Sequence, residues 1–293
     1  MSVTDSQSLY VHIPFCSTRC GYCHFNTYEG LEKLFEPFTR ALCGEIERYA
    51  QDLAGFQKPA RSIFFGGGTP THLPIAHFER ILQTLRAEWQ WTDDIEITSE
   101  ANPSFITQAY LERLRAAGIN RISFGAQAFD AKLLRMLDRE HSVAQIGEAV
   151  AMARRAGFDN LNLDLMYGLP RQTLAQWRAS LDAAMALQAE HLSLYGLTID
   201  EGTAFKKRVE KGLLPEPDPD LAADMYELAE SMLAEAEYQQ YEISNWAKTT
   251  TADRLPTANG NGAVSGQWSA FKSCRHNLTY WLNEPYLGFG PGA

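Results

Sequence analysis

The chain has 293 residues, 45% of them hydrophobic, which is enough to bury a sizeable core without covalent staples. Its 26 basic and 36 acidic residues leave a net charge of −10 with no basic block, so nucleic acid is disfavoured as the main partner. The cysteine count of five is odd and the spacing uneven, which argues against a disulfide framework and for a reducing compartment, the cytoplasm by default.

The opening run Met1-Ser2-Val3-Thr4-Asp5 lacks the basic region and apolar core of a signal peptide, and no later apolar run is long enough to span a bilayer. The first predicted strand, Ser8–Phe15, runs straight into Cys16, Cys20 and Cys23, a C-x3-C-x2-C array. That is iron–sulfur ligand spacing. A four-thiolate zinc site would want a second C-x-x-C pair, whereas Cys43 and Cys274 stand alone at distant positions. Three thiolates hold three irons of a 4Fe-4S cube and leave the fourth iron open to a ligand that is not protein.

Beyond the cysteines, helical stretches Leu31–Leu53, Ile75–Trp89, Thr107–Ala117, Val143–Ala156 and Leu174–Leu187 alternate with strands Ser62–Gly66, Asp94–Ala101, Arg121–Gln127, Asn160–Tyr167 and His191–Leu197. Apolar spacing such as Leu111, Leu114 and Ala117 needs no explanation beyond covering a sheet. Six β/α units predict an incomplete TIM-like (β/α)6 barrel with its active face at the strand C-termini. The unusual residues fall there. The second strand ends in Gly66-Gly67-Gly68-Thr69, where missing Cβ atoms admit a ligand close to the backbone. Glu100 ends the third strand and Gln127 the fourth, Asp164 lies within the Leu-rich fifth, and Tyr195-Gly196 ends the sixth. A carboxylate at such a position needs a polar partner. For Asp164 that partner is either structural, such as Arg121, or a ribose hydroxyl or amine of a ligand.

The cysteine spacing, with an aromatic before the third cysteine, resembles the radical S-adenosylmethionine superfamily. The segments Tyr10-Val11-His12-Ile13-Pro14-Phe15-Cys16, Phe65-Gly66-Gly67-Gly68-Thr69-Pro70, Ile122-Ser123-Phe124-Gly125-Ala126-Gln127 and Asp164-Leu165-Met166-Tyr167-Gly168-Leu169-Pro170 narrow the resemblance to relatives of oxygen-independent coproporphyrinogen III oxidase. The resemblance implies that Cys16, Cys20 and Cys23 hold a 4Fe-4S cluster. It implies too that S-adenosylmethionine meets Tyr10, Tyr22, Gly67, Gly68, Thr69, Glu100, Gln127, Arg139, Asp164 and Gly196. Arg139 alone would read as a solvated helix charge; its place twelve residues after Gln127 raises it.

Two functions compete within that family. The oxidases carry a fourth cysteine two residues after the third, where this chain has Phe25. The heme chaperone (HemW) group resembles this chain in its phenylalanine and in an H-N-x-x-Y-W element, present as His276-Asn277-Leu278-Thr279-Tyr280-Trp281. The resemblance to that group implies heme as a third bound group, with His276 in contact with it, and a heme-accepting protein and an electron donor that the sequence does not identify. The alternatives are oxidative decarboxylation of coproporphyrinogen through a 5′-deoxyadenosyl radical and, more remotely, radical methyl transfer. The expected division is 1–230 for the barrel and 231–293 for the start of a C-terminal region, with a polar insertion at Thr249–Ser273 before the HNxxYW element. Relatives are expected to continue past Ala293 into a further helical domain, so that domain is expected to be truncated here.

Overall fold

The computed structural model describes residues 5–249 and 272–293. Most of the insertion predicted at Thr249–Ser273 therefore lies outside the described residues. The chain opens with β1 (Gln7–Ile13), β2 (Phe15–Cys16) and, across the cysteine loop, β3 (Tyr28–Glu29). There follow α1 (Phe35–Asp52), β4 (Ala60–Gly67), α2 (Ile75–Glu88), β5 (Trp91–Ala101), α3 (Gln108–Ala117), β6 (Arg121–Gln127), α4 (Ala131–Met136), α5 (Val143–Arg155) and β7 (Leu161–Tyr167). The remainder comprises α6 (Leu174–Ala186), β8 (His191–Gly196), α7 (Ala204–Glu210), α8 (Pro219–Glu235), β9 (Tyr238–Glu242), β10 (Asn245–Lys248), α9 (Arg275–Trp281) and β11 (Tyr286–Phe289).

Strands β1, β4, β5, β6, β7 and β8 stand side by side in chain order, all parallel, as expected of a (β/α)6 array. The sheet is wider than predicted. β11 adds parallel to β1 at one edge, while β10 and then β9 add antiparallel beside β8 at the other. Among the described residues β11 and β9 do not pair with each other, so the sheet keeps two edges. The first strand also ends two residues early, at Ile13, because Pro14 has no N–H to give to a ladder.

Strand alternation explains how one sheet is buried on both faces. Leu9, Val11, Ile63, Phe65, Ile122, Phe124, Leu161, Leu163, Leu192 and Leu194 are fully buried and belong to the apolar core shared with the helices. The residues that alternate with them are mostly small or polar, among them Ser8, Ser62, Ser123, Asn162, His191 and Ser193, and these six are buried too. These inner residues satisfy one another: His191 Nδ1 lies 2.6 Å from Asn162 Oδ1, and Ser193 Oγ donates to the same oxygen at 3.1 Å. The covering helices begin where local chemistry dictates. Ser142 with Gln145 and Thr173 with Gln176 form reciprocal capping boxes for α5 and α6, and Gly118, at φ 113°, ends α3.

Candidate active site

At the C-terminal ends of the parallel strands lies a cavity of about 340 Å³. Its lining includes Cys16, Cys20 and Cys23, and also Tyr22, Gly67, Gly68, Thr69, Glu100, Gln127, Arg139, Asp164 and Gly196. Residues separated by up to 180 positions are thus brought to one place by the strand ends, as the barrel rule requires. Tyr10 stands behind the glycine loop instead of lining the cavity: a side chain at Gly66 would meet its ring at 3.1 Å, and its hydroxyl bonds His12 Nδ1 at 3.0 Å.

The cysteine loop is held from several sides. The Arg139 guanidinium lies 3.5 Å from Cys20 Sγ and donates to the Gly125 carbonyl at 2.8 Å. Thr69 Oγ1 approaches Cys16 Sγ at 3.7 Å, and Thr27 Oγ1 lies 3.9 Å from Cys23 Sγ. Burial raises the Cys16 thiol to about 11 against the opposing pull of Thr69 and Arg139. Here the glycines have specific causes. A Cβ at Gly67, where φ is +111°, would strike the His12 ring at 2.6 Å; one at Gly68 would strike the Phe15 carbonyl oxygen at 2.6 Å and Cys16 Sγ at 3.0 Å. Gly68 is therefore needed by the cysteine loop itself as well as by any ligand lying over it. Gln127 sits at φ 63° at the end of β6, beside an irregularity in the β6–β7 register that turns its side chain to the cavity.

Opposite the thiols are two carboxyl groups. Glu100 is pushed up to about 8 by burial and by the nearby Asp164, against a hydrogen bond from the Gly67 amide. Asp164 is raised by burial, partly offset by hydrogen bonds from Ser123, Asn162 and Ser193. Ser123 Oγ donates to it at 3.1 Å and Asn162 Nδ2 at 2.8 Å; Arg121 acts only through its charge. Beneath it the hydrogen bonds continue: His191 bonds Asn162, the Tyr241 hydroxyl lies 2.8 Å from His191 Nε2, and the Cys274 amide donates to that hydroxyl at 3.2 Å.

These residues fit the groups expected of them. Three half-buried thiols, Arg139 able to balance thiolate charge, a glycine cradle without Cβ atoms and two buried carboxyl groups suit an iron–sulfur cluster beside a ligand bearing an amine and hydroxyls. Cys43 and Cys274 are buried elsewhere, Cys274 against Glu96.

His276 lies outside this cavity. It is 2% exposed on α9, its Nδ1 3.0 Å from Ser62 Oγ and its Nε2 3.0 Å from the Tyr280 hydroxyl, with its ring stacked on Phe64 at 5.3 Å. Since Ser62 donates onward to Ser8, His276 Nδ1–H donates to Ser62 and Nε2 accepts from Tyr280. Burial and Arg61 hold the imidazole down to about 3, so it is neutral. A role for His276 at heme iron requires that Nε2 give up the Tyr280 hydroxyl, while Nδ1–H can stay on Ser62. Sequence reasoning missed other lining residues, notably His24, Met166, Thr198 and Asp200. His24 carried a signal, its place between Cys23 and Phe25; Asp200 lies in a loop without one.

The radical SAM superfamily model matches residues 10–184. The chain is 37% identical to the heme chaperone HemW of Bacillus subtilis over 288 residues, 98% of this chain and 70% of that protein. It is 38% identical over its full length to the mouse mitochondrial radical S-adenosyl methionine domain-containing protein 1, of which it spans 61%. The solved coproporphyrinogen III oxidase HemN of Escherichia coli superposes with a TM-score of 0.76 at 31% identity, covering 84% of this chain and 56% of that one. No described helix is long and apolar enough to cross a membrane. The chain belongs to the radical SAM superfamily and, within it, to the family of the Bacillus subtilis heme chaperone HemW.

Proposed function

We propose that the chain is a radical-SAM-type heme chaperone of the cytoplasm, which carries a 4Fe-4S cluster and S-adenosylmethionine and passes heme to an acceptor protein. The observation that carries this reading is the donor set of the cavity: three thiols, with Phe25 standing 60% exposed where an oxidase has its fourth cysteine. In this reading Cys16, Cys20 and Cys23 hold three irons. Tyr10, Tyr22, Gly67, Gly68, Thr69, Gln127, Arg139 and Gly196 shape the nucleotide's bed, while Glu100 and Asp164 take its amine and hydroxyls. The bound cluster supplies single electrons to the sulfonium centre. Arg139 offsets thiolate charge at Cys20. The barrel occupies 1–230, and 231–293 begins a C-terminal region that includes α9, with Tyr280 and Trp281 about half exposed.

The second reading is oxidative decarboxylation of coproporphyrinogen, favoured by the likeness to HemN. The charges of the cavity speak against it. Glu100, Asp164 and Asp200 line it, while Arg139 is committed to Cys20 and Gly125 and Arg19 to the carbonyls of Cys23 and Phe25, a poor match for a substrate with several carboxylates. Anaerobically reconstituted protein, assayed in parallel for heme binding and for coproporphyrinogen decarboxylation, decides between the two. Heme binding without decarboxylation is expected, and decarboxylation would overturn the chaperone reading.

A further inference from the structure

The chain has seven histidines, and their surroundings differ in a way that bears on which can reach a heme iron. His12, His191 and His276 are buried with both ring nitrogens hydrogen-bonded. His141 is 3% exposed, with Nε2 on the Ala126 carbonyl. His72 and His77 face Glu32 and Glu36 and do not line the cavity. His24 alone lines the cavity, at its mouth beside Cys23.

His24 is also built as metal-binding histidines are built. Its Nδ1 lies 2.9 Å from Asp200 Oδ2, and its side chain is 55% exposed. A carboxylate can only accept, so Nδ1 carries a proton, and Nε2, for which no partner is found among the described residues, is the nitrogen left to meet a metal. Asp200 is in turn held by the Thr198 hydroxyl at 3.3 Å. A carboxylate that fixes the ring and its tautomer is the usual support behind a ligating imidazole. Next to it the Phe25 ring, 60% exposed, lies with its centroid 4.9 Å from that of His24, an apolar face of the size a porphyrin edge would cover.

We propose that His24, oriented by Asp200, is the axial imidazole for heme iron at the mouth of the cluster cavity, with Phe25 packed on the macrocycle. The proposal rests on the heme reading above and specifies its site. The bond formed is Nε2 to iron, in exchange for a water or other weak ligand, with Nδ1–H still held by Asp200.

The test is an anaerobic titration of hemin into cluster-reconstituted full chain, whose cysteines are thereby occupied, followed by the Soret band and by electron paramagnetic resonance. The wild type should show an imidazole-ligated ferric heme. His24→Ala should lose that signature while keeping its cluster absorbance, and added imidazole should restore it in His24→Gly. Asp200→Asn should weaken hemin binding about tenfold. His276→Ala should keep the signature. If His24→Ala gives the wild-type spectrum, or if His276→Ala alone abolishes it, the assignment to His24 is wrong and the heme reading stands. If the wild type takes up no hemin, both fall together.

Discussion

Cys16, Cys20 and Cys23 share one wall of the cavity while Cys43 and Cys274 are enclosed elsewhere, so serine at any of the first three should abolish cluster absorbance, and serine at either of the others should preserve it. Equal iron loss from Cys274→Ser would refute that division. Gly68→Val is expected to lose both groups at once, since its side chain would displace the Phe15 carbonyl and Cys16 Sγ before it reached any nucleotide. Iron content and calorimetric titration with S-adenosylmethionine read the two losses separately; normal iron content in this variant would show that the loop yields. Glu100 gives a pH signature. Its carboxyl rises from an ordinary 4.5 to about 8, so between those values the folded chain holds a proton that the unfolded chain has released. The contribution of Glu100 to the stability of the ligand-free protein should therefore be level below about pH 4.5 and fall as pH rises to about 8. Denaturant unfolding across that window checks it, with Glu100→Gln as the variant that flattens the profile. A cationic amine at Glu100 favours the ionised form, so nucleotide affinity should rise with pH over the same range.

Helix α9 shows where reading an element from its motif falls short. The HNxxYW run marks His276 by resemblance, but the residues that seat it, Ser8, Ser62 and Phe64, come from β1 and β4, more than 200 positions earlier. His276→Ala removes a ring that satisfies two hydrogen-bonding partners in a buried seat, and should cost roughly 1–3 kcal/mol of stability, measurable by equilibrium unfolding. No loss would mean that water fills the seat without penalty. The elements that were legible are those with strong periodicity, the six parallel strands and the helices after them. β9, with Tyr238-Gln239-Gln240-Tyr241-Glu242, has no apolar alternation to betray it, because edge strands face water and may be polar. Its Tyr241 nonetheless reaches His191 and the Cys274 amide, so the element least visible in sequence carries the polar contacts beneath Asp164. α8 carries a start signal in Asp218 and Pro219, an N-cap followed by proline, but no parallel strand follows it.

Across the whole molecule, strand-end chemistry was readable because the barrel rule converts chain position into spatial convergence, and nearly every residue singled out at a strand end lines one cavity. What position could not reveal is how distant loops close on the mouth, as Asp200 does on His24. The same limit hid β11. Its pairing with β1 brings residues 286–293 against the cysteine loop: Asn26 Nδ2 donates to the Pro291 carbonyl at 2.9 Å, Gly290 N–H donates to Glu45 at 3.0 Å, and Gly290 packs so closely that a Cβ there would meet the His12 carbonyl at 2.6 Å. The ligand loop thus lies 265 positions before the carbonyl that braces it, and is synthesised well ahead of it. Such separation makes closure slow, because the entropy of joining distant segments is lost before their contacts form. Metal acquired by the nascent chain would sit in an unbraced loop, and its retention time would lengthen only on completion of β11. A chain ending at Asn283 should therefore take up iron on reconstitution yet surrender it faster to a chelator; equal release rates would show that the cysteine loop needs no brace.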